Sequence, residues 1–454
     1  MEWDSRHGKI LSKTLTRFKE HNIKYFIIRN YEGLPNINSS KDVDILVQPE
    51  SVGIAKGILK SVYKENGVSN YHEVQFGRVF CCHGIDINVK IGIHIDIIGS
   101  YVSKGFEIFT FDEMYPYAEK YNDFFVLNKY FEGVMVFIYK QFNYNPILKE
   151  EYKEIIYNTH REYPEFKTLI SKLVGIKLAN NIFLEIEQKN FAKMVTYSED
   201  LTKALRKYAL RRQPLQTIKF IILFFWEKIN RIMFSYRKYS KVFSVMAPDG
   251  AGKTTFIDAL QEKIDFYFVN DKKDNRCNVY HFRPNILPNL GELGEKVGVN
   301  EQDKDFTNPH RSKPANKLSS LLRIAYYWLD YVVGYNLLVR RDVKHDKFSV
   351  FDRYSYDFLV DPGRTRLNLP MWLRKLFVKC MPHPRLVFYL DATPEVIYKR
   401  KQELTLDEII RQTAAYKELA TSHKRFISLD ADRPVSESVD DALKIILETF
   451  TVKL

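Results

Sequence analysis

Both halves of this 454-residue chain read as α/β, and three features of the sequence carry that reading. From about residue 242 onward, short apolar strands alternate with helical segments, the pattern of a parallel sheet with flanking crossover helices. Residues 1–125 mix amphipathic helix with alternating strands, as a smaller α/β domain does. Between them lie a mostly helical extension, 126–202, and a basic linker helix, 203–241, before the C-terminal domain, 242–454. At roughly 150 residues per domain the length fits two or three domains.

In chain order, Lys9 to Glu20 fits an amphipathic helix and Lys24 to Arg29 a strand. Asp42 to Val47 reads as a second strand and Val52 to Asn66 as a helix, with further strands around His72 to Cys82 and Asp86 to Ile98. Pro146 and Pro164 interrupt the helical extension. No internal repeat or low-complexity tract interrupts this order.

Apolar content of 45% and charged content of 28% are those of an ordinary globular protein. Cys81, Cys82, Cys277 and Cys380 have no CxxC spacing and follow no signal peptide, so reduced thiols in a cytoplasmic protein are expected. The net charge of +13 is concentrated. Eleven basic residues between Lys203 and Lys241 face one acid, Glu227, which gives that segment +10 and leaves +3 for the rest. This argues against a specific nucleic-acid surface and for one local patch. Within the patch, Phe220 to Trp226 lies between Lys219 and Lys228. The apolar run falls short of the roughly 20 residues that span a bilayer. Two readings stay open: a helix packed against a domain, or one lying on an anionic membrane surface at the inner face.

The densest chemistry lies at Ala247-Pro248-Asp249-Gly250-Ala251-Gly252-Lys253-Thr254-Thr255, between the strand Val242 to Met246 and a helix beginning near Phe256. Strand, glycine-rich turn and helix form the context of a phosphate-binding P-loop. Glycines let backbone N–H groups converge on an anion at the helix N-terminus. Lys253 would reach the β- and γ-phosphates of ATP, and Thr254 would sit on Mg²⁺. Ala247 replaces the usual first glycine, which is tolerable if its φ is negative. Asp352-Arg353-Tyr354 ends another apolar strand, where open α/β sheets keep their ligands. His281-Phe282-Arg283-Pro284 ends a third, and Arg400 and Arg411 follow the strand Arg385 to Asp391.

Taken together, Pro-Asp-Gly-Ala-Gly-Lys-Thr-Thr at 248–255 and Asp-Arg-Tyr at 352–354 make residues 242–430 resemble the thymidylate kinase family. The resemblance implies that Asp249 faces an acceptor hydroxyl and that Asp352 organises Mg²⁺ or the acceptor. It implies that Arg353 and Arg283 hold an anionic group, and that Arg400 and Arg411 belong to a closing lid. Phosphoryl transfer needs positioning and charge neutralisation above all, which suits lysine, arginine and Mg²⁺. Thymidylate kinases follow Arg-Pro with two glycines and a threonine, whereas Arg283-Pro284 leads here into Asn285-Ile286-Leu287-Pro288. The stretch after Asp-Arg-Tyr, with Arg-Lys-Gln-Glu at 400–403, looks more like a divergent thymidylate-kinase-like group associated with bacterial surface-polysaccharide genes. Asp357, Asp361 and Arg364 are candidate acceptor contacts. The acceptor class stays open between nucleotide, sugar and lipid-linked sugar.

In the N-terminal half, Asp42-x-Asp44 on one strand and Asp96 on a later one resemble the carboxylate triad of the nucleotidyltransferase fold, with Ser39-Ser40-Lys41 just before. Strand alternation puts Asp42 and Asp44 on one face, where a divalent metal would relieve their repulsion. The family's Gly-Ser or Gly-Gly is replaced by Arg29-Asn30-Tyr31-Glu32-Gly33. His72 and His94 read as ordinary sheet residues.

The expectation is therefore an ATP- and Mg²⁺-dependent phosphotransferase, with a nucleotidyltransferase-like domain that binds or modifies the same or a related substrate. One alternative is a nucleotidyltransferase acting through Asp42, Asp44 and Asp96 with a regulatory P-loop half; another is an ATP-dependent binding or scaffold protein.

Overall fold

A computed structural model of the chain describes residues 3–141, 148–238, 241–268, 276–288 and 315–454. Pro146 lies outside the described residues, as do the side chains of Arg231, Arg237 and Lys238. The chain forms two compact units: residues 1–229 with 452–454, and residues 230–451.

In the first unit the strands are β1 (Tyr25–Ile27), β2 (Val43–Val47), β3 (Asn70–Phe76), β4 (Val79–Asp86), β5 (Ile91–Ile98), the short β6 (Val102–Ser103) and β7 (Phe106–Glu107), then β8 (Ala118–Tyr121) and β9 (Phe124–Leu127). The chain's last strand, Val452–Lys453, pairs antiparallel with β3 and completes an eight-stranded mixed sheet, while β6 and β7 form a separate two-stranded one. The sheet is mostly antiparallel; β2 runs parallel to β5 and β1 to β9. Helices Ser5–Glu20 and Val52–Glu65 bury Leu11, Leu15, Phe18, Leu59 and Val62 in a core shared with Ile45, Val47, Ile95 and Ile97. Such apolar spacing, three and four residues apart, is what a one-sided helix needs. A second core joins Phe26, Leu46 and Ile98 to helices between Lys129 and Arg212.

Two readings of this region require correction. The strand placed around His72 to Cys82 is two strands, because Gly77 takes φ 64° and turns the chain back into an antiparallel pair. The basic segment is two helices rather than one, Ser198–Arg212 and Pro214–Lys238, broken at Gln213. A residue before proline is driven out of the helical region, and Gln213 has φ −137° and ψ 68°. Lys241 also leaves the basic patch: it is buried and paired with Asp346 at 2.7 Å.

In the second unit β10 (Val242–Met246), β11 (Cys277–His281), β12 (Phe348–Asp352), β13 (Leu386–Asp391) and β14 (Phe426–Asp430) form a five-stranded sheet in the order β11-β12-β10-β13-β14. All four pairings are parallel, and flanking helices carry the crossovers. Central β10 is buried throughout, which explains why Val-Phe-Ser-Val-Met is apolar without alternation. The chain leaves β10 between β12 and β13, so its carboxyl end opens where the strand order reverses. Among the described residues no helix is long and apolar enough to cross a membrane.

Candidate functional site

At the carboxyl end of β10 the chain turns through residues 247–252 into the helix Lys253–Tyr267. Gly250 and Gly252 take φ of 87° and 90°, values that L side chains rarely adopt, so glycine is needed at both. Ala247 does not share that backbone, which is why alanine serves there. A Cβ on Gly250 would stand 3.0 Å from Lys401 Cβ and 3.3 Å from the Ile397 carbonyl oxygen. Pro248 and Ala251 complete the turn, with the Ala251 N–H donating to the Pro248 carbonyl. Thr254 and Thr255 begin the helix exposed, while Lys253 is folded inward and buried. Its Nζ donates to the carbonyls of Ala247 (3.1 Å) and Pro248 (2.9 Å). Burial, reinforced by the nearby Arg353 charge, pushes the Lys253 ammonium down to about 7.

Register brings the Asp-Arg pair to this loop. Asp352 sits opposite Val245 of β10 on one side and His281 of β11 on the other. His281 Nδ1 lies 3.1 Å from Asp352 Oδ2, and Oδ1 is buried with no hydrogen-bond partner. Burial would raise the Asp352 carboxyl, but His281, Lys253 and Arg353 outweigh it and hold it below its usual range. Arg353 turns out of the strand with φ 73° and donates its backbone N–H to the Val245 carbonyl. An arginine held in this left-handed region reflects surrounding contacts that over-determine it. Its guanidinium donates to Asp357 (3.0 Å) and to Asp249. Asp249 also accepts from Arg364, whose Nε is 3.4 Å from Asp361. The two arginines therefore converge on one carboxylate of the loop.

Asp357 presents no free oxygen: one accepts from Arg353 and the other from the Tyr416 hydroxyl at 2.6 Å. It positions Arg353, as buried Asp361 positions Arg364. Arg283 is buried and ion-paired with Asp330 at 3.1 Å. Asp330 also accepts from the backbone N–H groups of Asn285 (3.2 Å) and Leu287 (2.7 Å), so it holds the 283–288 loop in place. Sequence reading passed over Asp330, although a lone carboxylate in the apolar run Tyr326 to Val333 was a signal. His281, at the end of its strand, carried no comparable signal.

The outer arginines point elsewhere. Arg400 donates to the Ala431 carbonyl at 3.0 Å, and Arg411 pairs with Glu408 at 2.6 Å and donates to the Val360 carbonyl at 2.9 Å. Arg400 lines a cavity of about 230 Å³ with Ala251, Gly252, Thr255, Leu390 and Arg433. That cavity opens beside the loop, on its β13–β14 side.

In the first unit, oxygens of Asp42, Asp44 and Asp96 come within 4.8 Å of one another. Asp44 and Asp96 are paired across β2 and β5, whereas Asp42 precedes β2. Ser40 donates to Asp42 at 2.9 Å, and Arg29 Nε donates to Asp44 at 3.0 Å. Burial, with the charge of Asp42 added to it, pushes Asp44 up to about 6 against the pull of Arg29. One guanidinium beside three carboxylates leaves charge that a divalent cation can neutralise. Arg29, part of the departure at 29–33, is thus the residue that sequence reading left without a function.

On the helix Pro214–Lys238, Thr217 and Phe220 are buried while Leu215, Ile218, Ile222, Phe225, Trp226 and Ile229 are exposed in one row. Part of the basic charge is matched locally, by Glu113 on Arg212 and Glu199 on Lys203. No protein-family model matches the chain, and no curated protein is significantly similar to it.

Proposed function

We propose that the second unit is an ATP- and Mg²⁺-dependent phosphotransferase of the thymidylate-kinase-like kind. The observation that carries this reading is Lys253, buried at the carboxyl edge of the sheet and bonded to carbonyls of its own loop. Its one ion pair among the described residues is with Asp249 at 3.8 Å, and a triphosphate would give such a lysine a closer anionic partner. Gly252, with open space where a Cβ would stand, leaves room for the phosphates, and the 230 Å³ cavity lined by Arg400 and Arg433 suits the nucleoside end. Thr254 and the unpartnered oxygen of Asp352 would hold Mg²⁺, which supplies charge neutralisation on the transferring group. Arg353 and Arg364 stand ready for the acceptor's anionic group, with Asp249 as their interim partner, and Arg283 braces the neighbouring loop. The γ-phosphorus bond to its bridging oxygen breaks as an acceptor oxygen bonds to phosphorus, and ADP leaves. The acceptor is a nucleotide, a sugar or a lipid-linked sugar, in keeping with surface-polysaccharide synthesis.

The decisive measurement is ADP formation by purified protein with a panel of such acceptors. Lys253→Ala is expected to lower turnover by at least ~10²-fold; unchanged turnover would overturn the assignment.

A second reading is favoured by the gathered oxygens of Asp42, Asp44 and Asp96: the first unit transfers a nucleotidyl group with release of pyrophosphate. The exposed apolar row on Pro214–Lys238, beside Arg211, Lys219 and Lys228, supports peripheral contact with an anionic membrane.

A further inference from the structure

The first unit carries metal-ligating chemistry of a second kind. Strands β3, β4 and β5 align His72 opposite His83 and His83 opposite His94, so three imidazoles lie in a row across the sheet. The His83 and His94 rings stack with centroids 4.0 Å apart. One step along the same face, Cys81 is opposite Asp96. Alternation along β4 keeps Cys81 and His83 on this face and sends Cys82 to the other, where its Sγ accepts from the Tyr71 hydroxyl at 3.1 Å. Cys81 Sγ, a His94 ring nitrogen and an Asp96 oxygen lie within 4.8 Å of one another, and His94 Nε2 is 2.7 Å from Asp96 Oδ1. His94 and Asp96 are nearly buried, whereas Cys81 is partly accessible.

We propose that Cys81, His94 and Asp96 form a binding site for a Zn²⁺-class cation. A thiolate, an imidazole and a carboxylate on one centre are the ligands of a borderline-soft metal, and an oxygen-preferring ion such as Mg²⁺ gains nothing from the sulfur. Three protein ligands leave a fourth tetrahedral position open to water. His83, stacked on His94, fixes the ring plane of the ligating imidazole. On binding, the Cys81 thiol gives up its proton to solvent as the metal–sulfur bond forms, so affinity rises with pH. Asp96 belongs both to this trio and to the carboxylate cluster with Asp42 and Asp44, so a cation here also sets the orientation of that carboxylate. The site is independent of the phosphotransferase reading, which concerns the second unit.

The test is titration of metal-stripped, fully reduced full-length protein with Co²⁺, without nucleotide. One equivalent should bind with a thiolate-to-cobalt charge-transfer band that Zn²⁺ abolishes and a large excess of Mg²⁺ leaves intact. Cys81→Ser should remove the band, Cys82→Ser should keep it, and His94→Gln should weaken binding by at least ~10-fold. Absence of the band in the unaltered protein, its persistence in Cys81→Ser, or its loss in folded Cys82→Ser would overturn the proposal. If circular dichroism shows Cys81→Ser unfolded, His94→Gln decides, and undiminished affinity there overturns the site.

Discussion

Lys253 illustrates how much a single side chain can register about its partners. Folding buries it against two carbonyls and near Arg353, which brings its ammonium down to about 7. A lysine depressed in the folded state gives up its proton there while the unfolded chain keeps it. Stability on this account rises with pH between about 7 and the ordinary lysine range. Polyphosphate binding runs the other way, because it needs the charged form. At pH 7.5, ATP binding should therefore take up a fraction of a proton, and affinity should fall as pH rises from 7 toward 9. Calorimetry in two buffers of different ionisation heat measures the uptake; Lys253→Met should abolish it. Equal heats in both buffers with unaltered protein would refute the assignment of this proton. Asp357 carries a related lesson: a carboxylate expected at the acceptor is spent instead on aiming Arg353, with Tyr416 on its other oxygen.

Among the elements, the helix Pro214–Lys238 has two apolar aspects. Thr217 and Phe220 are buried, and Ile221 packs so closely on the backbone at Gly105 that a Cβ there would be 2.9 Å from its Cα. The other aspect exposes Leu215, Ile222, Phe225 and Trp226. Seven apolar residues in a row, 220–226, must wrap all around a helix of 3.6 residues per turn, so one packed face cannot absorb them. With Lys219 and Lys228 alongside, the protein should float with liposomes that contain anionic lipid and not with neutral ones. Added salt, or the pair Phe225→Ser and Trp226→Ser, should reduce the floated fraction severalfold. Flotation insensitive to both, or none at all, would refute the membrane contact.

For the whole molecule, two compact units carry two distinct clusters of charged chemistry, one around Lys253 and one around Asp44. If each cluster does its own chemistry, the losses should separate. Lys253→Ala should abolish ADP formation and spare pyrophosphate release, and Asp44→Ala should do the reverse. Loss of both activities in either single variant, with the fold intact by circular dichroism, would show that one cluster serves both reactions.

What was legible in the sequence was local. A short unbroken apolar run and glycine spacing specify a strand, a turn needing positive φ and a helix start within a dozen residues or so, so residues 242–256 could be read directly. The same locality placed Asp44 on a strand, and it misled at His72 to Cys82 because one glycine turn is a weak mark inside a long β-rich run. Strand order and register lie beyond any local period. Register brings His281 onto Asp352 and Cys81 beside Asp96, and the packing of helices and loops on the sheet brings Arg353 and Arg364 onto Asp249 and Asp330 under the 283–288 loop. The sequence by itself determined which chemical groups each strand end and turn would carry, since backbone geometry acts over a few residues. The tertiary structure decided which of those groups meet, because partners from distant elements are joined by sheet pairing and core packing, where apolar burial sets the arrangement and the charged side chains follow.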